Sequence, residues 1–198
     1  MMMPKRFLVR LALAAGFAST LAVPAAAQQV REISAPPGPW SPPGVDVQFP
    51  EAAGEYRRGT VRAYGADDWS VSYVRRDANG LASLVSVYLY VPHGRCAAEF
   101  EGAVAALRNG QQDAREVWRS KAPAPGGAPA DAADHARFTM KATVGGTPTP
   151  VVSDVYVYCP QGSRWAIKYR ATWPAANDES SAGQAVLGAI DWSGLRAD

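Results

Sequence analysis

Histidine is almost missing from this chain: His93 and His135 are the only two among 198 residues. A metal centre or an imidazole relay needs His at defined spacings to Cys, Asp or Glu, and neither residue has such neighbours. His93 lies in a Pro-His-Gly turn and His135 closes an Ala/Pro/Gly-rich stretch, so neither is expected to be catalytic. No metal or other cofactor is expected. A Gly-x-Ser-x-Gly elbow is also missing, and Gly126-Gly127 and Gly145-Gly146 lack the strand-turn-helix setting of a phosphate cradle. Carboxylates do cluster, as Asp67-Asp68, Asp131 with Asp134, and Asp178-Glu179. A strand entrance, a loop and a helix start account for all three without the paired carboxyls of a glycosidase.

Long apolar runs are equally scarce. The only one, Leu11–Val23, follows Lys5, Arg6 and Arg10 and precedes Pro24-Ala25-Ala26-Ala27. That order matches a secretory signal peptide cleaved after Ala27, and the run is too short to span a bilayer. No Cys lies near the cleavage site, which argues against lipid anchoring. The short, Ala-rich signal predicts a bacterial protein exported to the periplasm or secreted, with no membrane span after cleavage. Cleavage removes three of the twenty basic residues and none of the eighteen acidic ones, leaving a formal charge of −1. Only Arg57-Arg58 and Arg75-Arg76 cluster, so a nucleic-acid partner, which needs a basic stripe to neutralise phosphates, is not expected.

Three segments are expected: a signal peptide over 1–27, a Pro-rich extended segment over 28–54, and a single domain over 55–198 with an Ala/Pro/Gly loop at 121–135. Pro36, Pro37, Pro39, Pro42 and Pro43 crowd around Trp40, which suits a spacer, a strap along the domain, or a proline-rich ligand for a partner. Alternation at period two begins near Thr60. Trp69, Val71 and Tyr73 share one face, Asn79-Gly80 marks a hairpin, and Val85, Val87, Leu89 and Val91 alternate with Leu84, Ser86, Tyr88 and Tyr90. Phe100, Val104, Leu107, Ala114 and Trp118 predict a helix over Cys96–Ser120 that Asn109-Gly110 can bend or split.

Strands are predicted over Ala136–Val144, Pro150–Cys159 and Arg164–Trp173. A closing helix is predicted from an Asn177 or Asp178 cap through Asp191, with Ala182, Val186, Ala189 and Ile190 inward. The fold class read from this order is α+β: a mainly antiparallel sheet of five to six strands with two helices, in the order β-β-α-β-β-β-α.

Cys96 and Cys159 are the only cysteines, and in an oxidising compartment they predict one disulfide. Cys159 shares parity with Val155 and Val157, and Cys96 starts the helix that should cover that face. The bridge therefore requires the strands ending near Val91 and Cys159 to finish at the same edge. A helix of that length would carry the chain across the sheet, and the long loop is expected to bring it back.

The stretch Val87–Gly94, VYLYVPHG, has a near copy in Val155–Gly162, VYVYCPQG. Together they place Tyr88, Tyr90, Tyr156 and Tyr158 opposite the aliphatic positions of their strands. Such tyrosines serve either as a second core layer under the closing helix and strap or as a binding surface; whether that face is open decides between them.

The element order, with SVYLYV and RWAIKYRATWP before a short terminal helix, resembles the PsbP-like superfamily of α/β sandwich proteins and small exported proteins of proteobacteria. The resemblance spans about Tyr56–Leu195 and implies an accessory or binding role without catalytic residues. The expected function is an exported periplasmic accessory or binding protein, engaging an envelope protein or a small ligand through its aromatic sheet face. The alternative is a hydrolase acting on cell-envelope material through carboxylates brought together only by folding.

Overall fold

The structure is a computed structural model that describes residues 30–125, 132–144 and 146–195. The expected signal peptide lies outside the described residues, as does the tip of the Ala/Pro/Gly loop. Among the described residues nine strands and two α-helices follow one another as β1 (Arg31–Ile33), β2 (Ala52–Ala53), β3 (Tyr56–Gly65), β4 (Asp68–Arg76), β5 (Ala82–Tyr90), α1 (Cys96–Gly110), β6 (Gln112–Pro123), β7 (Ala132–Val144), β8 (Thr147–Tyr158), β9 (Ala166–Pro174) and α2 (Ala182–Ala189), with a single 3-10 turn at Ser193–Leu195 after them. All pairings are antiparallel, in the order β1-β3-β4-β5-β9-β8-β7-β6, with β2 beside β3. The α+β class and the antiparallel sheet stand, but the strand count exceeds the expected five to six.

The largest addition is β6. Ala114 and Trp118 have helical spacing relative to Leu107, yet α1 stops at Gly110 and the chain re-emerges as a twelve-residue strand. The chain is already extended at Gln111, and Asp113, with φ 55, sits in the register irregularity between Gln112 and Arg115 of β6, where its carboxylate meets Lys141 Nζ at 2.8 Å. From there β6 pairs with β7 as far as Pro123↔Ala132. An edge strand tolerates that proline because its missing donor faces away from the ladder. The predicted loop from Lys121 is thus shorter: Lys121 lies in β6 and holds Asp134 of β7 at 2.6 Å. No return path is needed either, because α1 carries the chain to the far edge and β6, β7 and β8 step back strand by strand.

Because directly paired residues project to the same side, the sheet has two distinct faces. On one, Phe100, Val104 and Leu107 of α1 pack on Ala136, Phe138, Met140, Val151, Val155 and Val157. On the other, Val61, Val71, Tyr73, Val85, Val87, Leu89, Ile167 and Tyr169 form the larger core, covered by Val186 and Leu187 of α2 and by Val47 and Phe49. The Pro-rich segment is part of that cover. Trp40 bridges to Phe49, Gln48 bridges to Asp191, and the Arg58 guanidinium donates to the carbonyls of Pro36, Gly38 and Phe49 at 2.6, 2.8 and 2.9 Å. Arg58 supplies donors that the prolines remove.

The closing helix is shorter than predicted, and neither Asn177 nor Asp178 caps it. Asn177 Nδ2 donates instead to Asp77 Oδ2 and Glu179 Oε1, each at 3.3 Å, tying the chain before α2 to the β4–β5 turn. Ala189 is exposed and Leu187 takes its expected place inside. Beyond α2, a Cβ on Gly194 would stand 2.0 Å from the carbonyl oxygen of Asp46. Gly194→Ala is therefore expected to push the terminal turn off the strap and cost about 2 kcal/mol, as overpacking does. Urea denaturation would measure it; an unchanged midpoint would show that this contact yields freely.

Candidate functional site

Cys96 and Cys159 form the disulfide, with Cα atoms 5.9 Å apart. The β5 and β8 ends do lie at one edge, because both strands run antiparallel to the β9 between them. The bridge fastens the first residue of α1 to the β7–β8 side of the sheet. The helix therefore covers only part of its face, and over β3, β4 and β5 that face stays open.

What remains between α1 and the open half is a groove of about 740 Å³. Its floor is Tyr64, Tyr88 and Tyr90, with Lys168 rising from β9 directly opposite Tyr88. Its wall is Gly94, just before α1, and a run of small residues one helical turn apart, Ala98, Gly102 and Ala106, whose lack of bulk lets the helix stand beside the rings without filling the space. Asp68, His93 and Glu99 close the end nearest the start of α1.

The charged groups differ in how they are held. Both carboxylate oxygens of Glu99 are engaged: Oε2 accepts from the Tyr90 hydroxyl at 3.1 Å and Oε1 from the His93 backbone N–H at 2.9 Å. Glu99 also sits in the first turn of α1, where the helix dipole favours a negative charge. Lys168 lies over the rings of Tyr88 and Tyr90, its Nζ 4.3 and 5.6 Å from their centroids. Among the described residues no carboxylate approaches Lys168 within ion-pair distance, and burial pulls its ammonium below the ordinary lysine value despite the nearby Asp68 and Glu99. Asp68 likewise has no side-chain partner, and burial pushes its carboxyl up. Tyr88 and Tyr90 are both raised, first by burial.

The four tyrosines expected to act together are split. Pairing sets Tyr88 against Lys168 and Lys168 against Val157, whereas Tyr156 lies against Tyr169 and Tyr169 against Val87. The valine of one copy thus lines up with the tyrosine of the other, so Tyr88 and Tyr90 face the groove while Tyr156 and Tyr158 are buried on the α2 face. Tyr156 stacks between His135 and Tyr169, with centroids at 3.8 and 4.2 Å.

Beside them lies the most buried charge described. Asp154 is fully enclosed and takes both Arg137 donors at 2.7 Å and the Tyr156 hydroxyl at 3.1 Å. Arg137 in turn lies over Trp118 and Trp173, 5.0 and 5.4 Å from their centroids. His135 Nε2 comes within 3.3 Å of Asp154 without hydrogen-bonding alignment, while its Nδ1 is 3.4 Å from Ser120 Oγ. Serine, histidine and aspartate are thus strung across β6, β7 and β8, but at distances longer than a working nucleophile-base contact and with the aspartate already saturated by Arg137. The Arg137–Asp154 pair ties β7 to β8. Its alternating parity was legible in the sequence for Asp154; that Arg137 and His135 meet it depended on the register of β7.

No family model matches the chain, and no curated protein matches it. Among solved structures it is similar to LpqN of Mycobacterium tuberculosis, described as involved in cell envelope biogenesis, at 15% identity over 82% of this chain and 87% of that one, with a TM-score of 0.42. A likeness that loose carries no argument about this chain. Among the described residues no helix is long and apolar enough to cross a membrane, and no group of three His, Cys, Asp or Glu could hold a metal.

Proposed function

We propose that this is an exported binding protein of the cell envelope, and that its ligand site is the groove between α1 and the open half of the sheet. The observation that carries this reading is the incomplete cover: α1 is fastened on one side, and the aromatic floor beside it is left facing a space large enough for a small molecule. Tyr88 and Tyr90 are the binding tyrosines in this reading, joined by Tyr64. Tyr156 and Tyr158 serve the core. Export is supported by the paired cysteines and the N-terminal pattern of the sequence.

A hydrolytic reading needs one carboxyl to give a proton and another to accept one. Asp68 and Glu99 both line the groove, but both oxygens of Glu99 are spent on Tyr90 and His93, so binding is the better account.

Native mass spectrometry of the protein incubated with small-molecule envelope extract is expected to show a bound species. Tyr88→Ala should remove at least 1 kcal/mol of ring contact and weaken retention about fivefold or more. Tyr88 is half-buried and at the groove rather than in either core, so the variant should keep the wild-type melting midpoint to within a few degrees. Equal retention by the variant would move the site elsewhere.

A further inference from the structure

Two opposite charges stand in one groove without meeting. Lys168 is held over Tyr88 and Tyr90, and Asp68 lies across β5 from it, paired in register with Tyr90 while Lys168 is paired with Tyr88. Their Cα atoms are thus two strands and two residues apart, about 12 Å by sheet geometry. The aromatic rings lie between them. Partly buried charges ordinarily find counter-ions, and the one other carboxylate lining the groove, Glu99, has found its donors in Tyr90 and His93. A lone Lys168 would suit an anion and a lone Asp68 a cation. Together, separated and flanking a flat apolar floor with a smooth wall, they suit one ligand that carries both.

We propose that the groove binds a compact zwitterion of the size of a dipeptide, its carboxylate on Lys168, its ammonium on Asp68, and its body on the Tyr64/Tyr88/Tyr90 floor. This inference rests on the groove being the ligand site. A dipeptide places its two charges several bonds apart, which fits two groups that share the groove without forming an ion pair, and Tyr88 and Tyr90 stack on peptide planes or small side chains without demanding a sequence. Arg170, next on the same face, does not compete: its guanidinium is turned across β8 to Ser153 Oγ and Met140 Sδ.

The test is isothermal titration calorimetry of the full-length exported protein with L-alanyl-L-alanine, its N-acetyl derivative, its C-terminal amide, and the doubly blocked peptide. The free dipeptide is expected to bind, and removing either charge to weaken binding at least tenfold. Lys168→Ala should erase the preference for free carboxylate over amide while keeping that for free amine, and Asp68→Asn should do the reverse. These crossed losses separate charge recognition from a general loss of folding. Equal affinity for the doubly blocked peptide, or heat from glucose or decanoate but not from any dipeptide, would overturn the zwitterion while leaving the groove as the binding site. No binding of any of these probes, together with unchanged Tyr88→Ala retention from envelope extract, would overturn both.

Discussion

Asp154→Ala is expected to destabilise the protein by about 3–5 kcal/mol, because it strands the Arg137 guanidinium between Trp118 and Trp173 with no counter-charge. Asp154 is fully buried in the centre of β8, next to β7 and β9, so water cannot replace the lost oxygens without opening the sheet. Asp154→Asn keeps the shape and one acceptor and should cost less, leaving the Tyr156 hydroxyl and one Arg137 donor satisfied. The pH dependence follows from the same contacts. Burial alone would raise the Asp154 carboxyl, but the Arg137 and His135 contacts outweigh it and hold the group below the usual aspartate value. A folded-state value depressed below the unfolded one contributes stability that is fully present above about pH 4 and is lost as pH falls through the folded value. Wild type should therefore lose stability on acidification below about pH 4 more steeply than Asp154→Ala. Urea midpoints for both proteins between pH 2.5 and 7 would check this; parallel curves would remove Asp154 from the acid transition.

Loss of the disulfide is the other large expected effect. Cys96 and Cys159 are 63 residues apart in sequence, and the chain-entropy treatment of such a loop gives about 4 kcal/mol. For a chain of this size that corresponds to a melting midpoint lower by roughly 8–16 °C. The consequence for α1 is local as well. The helix begins at Cys96 after Arg95, which makes no side-chain capping bond, and three buried residues, Phe100, Val104 and Leu107, hold it to the sheet. In Cys96→Ala/Cys159→Ala, amide exchange should rise first over residues 96–110 and then at the β7–β8 contacts beneath. If exchange instead rises uniformly, the bridge acts on the unfolded chain alone and does not position the helix. Because α1 forms the wall of the groove, affinity for the ligand proposed to sit there should fall with it.

How far the sequence led can be seen in two places. Asn79-Gly80 closes the β4–β5 hairpin, with Gly80 at φ 77 and the Asp77 carboxylate accepting from Asn79 and Leu81 N–H at 2.9 Å, because few residue types adopt that turn. The cysteine pair was equally legible, since two thiols in an export-marked chain have one arrangement. In contrast, 112–120 satisfied a helical spacing and lies in a strand. Ala114 and Trp118 are four apart, a spacing that an ideal helix and an unbroken strand both place on one side, and only the β7 partner beyond the hairpin settles the matter, with a bulge between Glu116 and Trp118 that leaves Ala114 under α1 and Trp118 on the Arg137 side.

The same limit governs the site. Alternation by itself determined that Tyr88 and Tyr90 share a side and that Tyr156 and Tyr158 share a side, since the side-chain period of a strand is two. It also determined that Cys159 lies with Val155 and Val157. Only the tertiary structure decided whether those two sides are the same one. VYLYV and VYVYC never touch, because β9 stands between them. The pairings Tyr88↔Lys168 and Tyr169↔Tyr156 set them one residue out of step, and one residue is a change of face. That offset sends one tyrosine pair into the core beside Asp154 and leaves the other, with Lys168, lining an open groove.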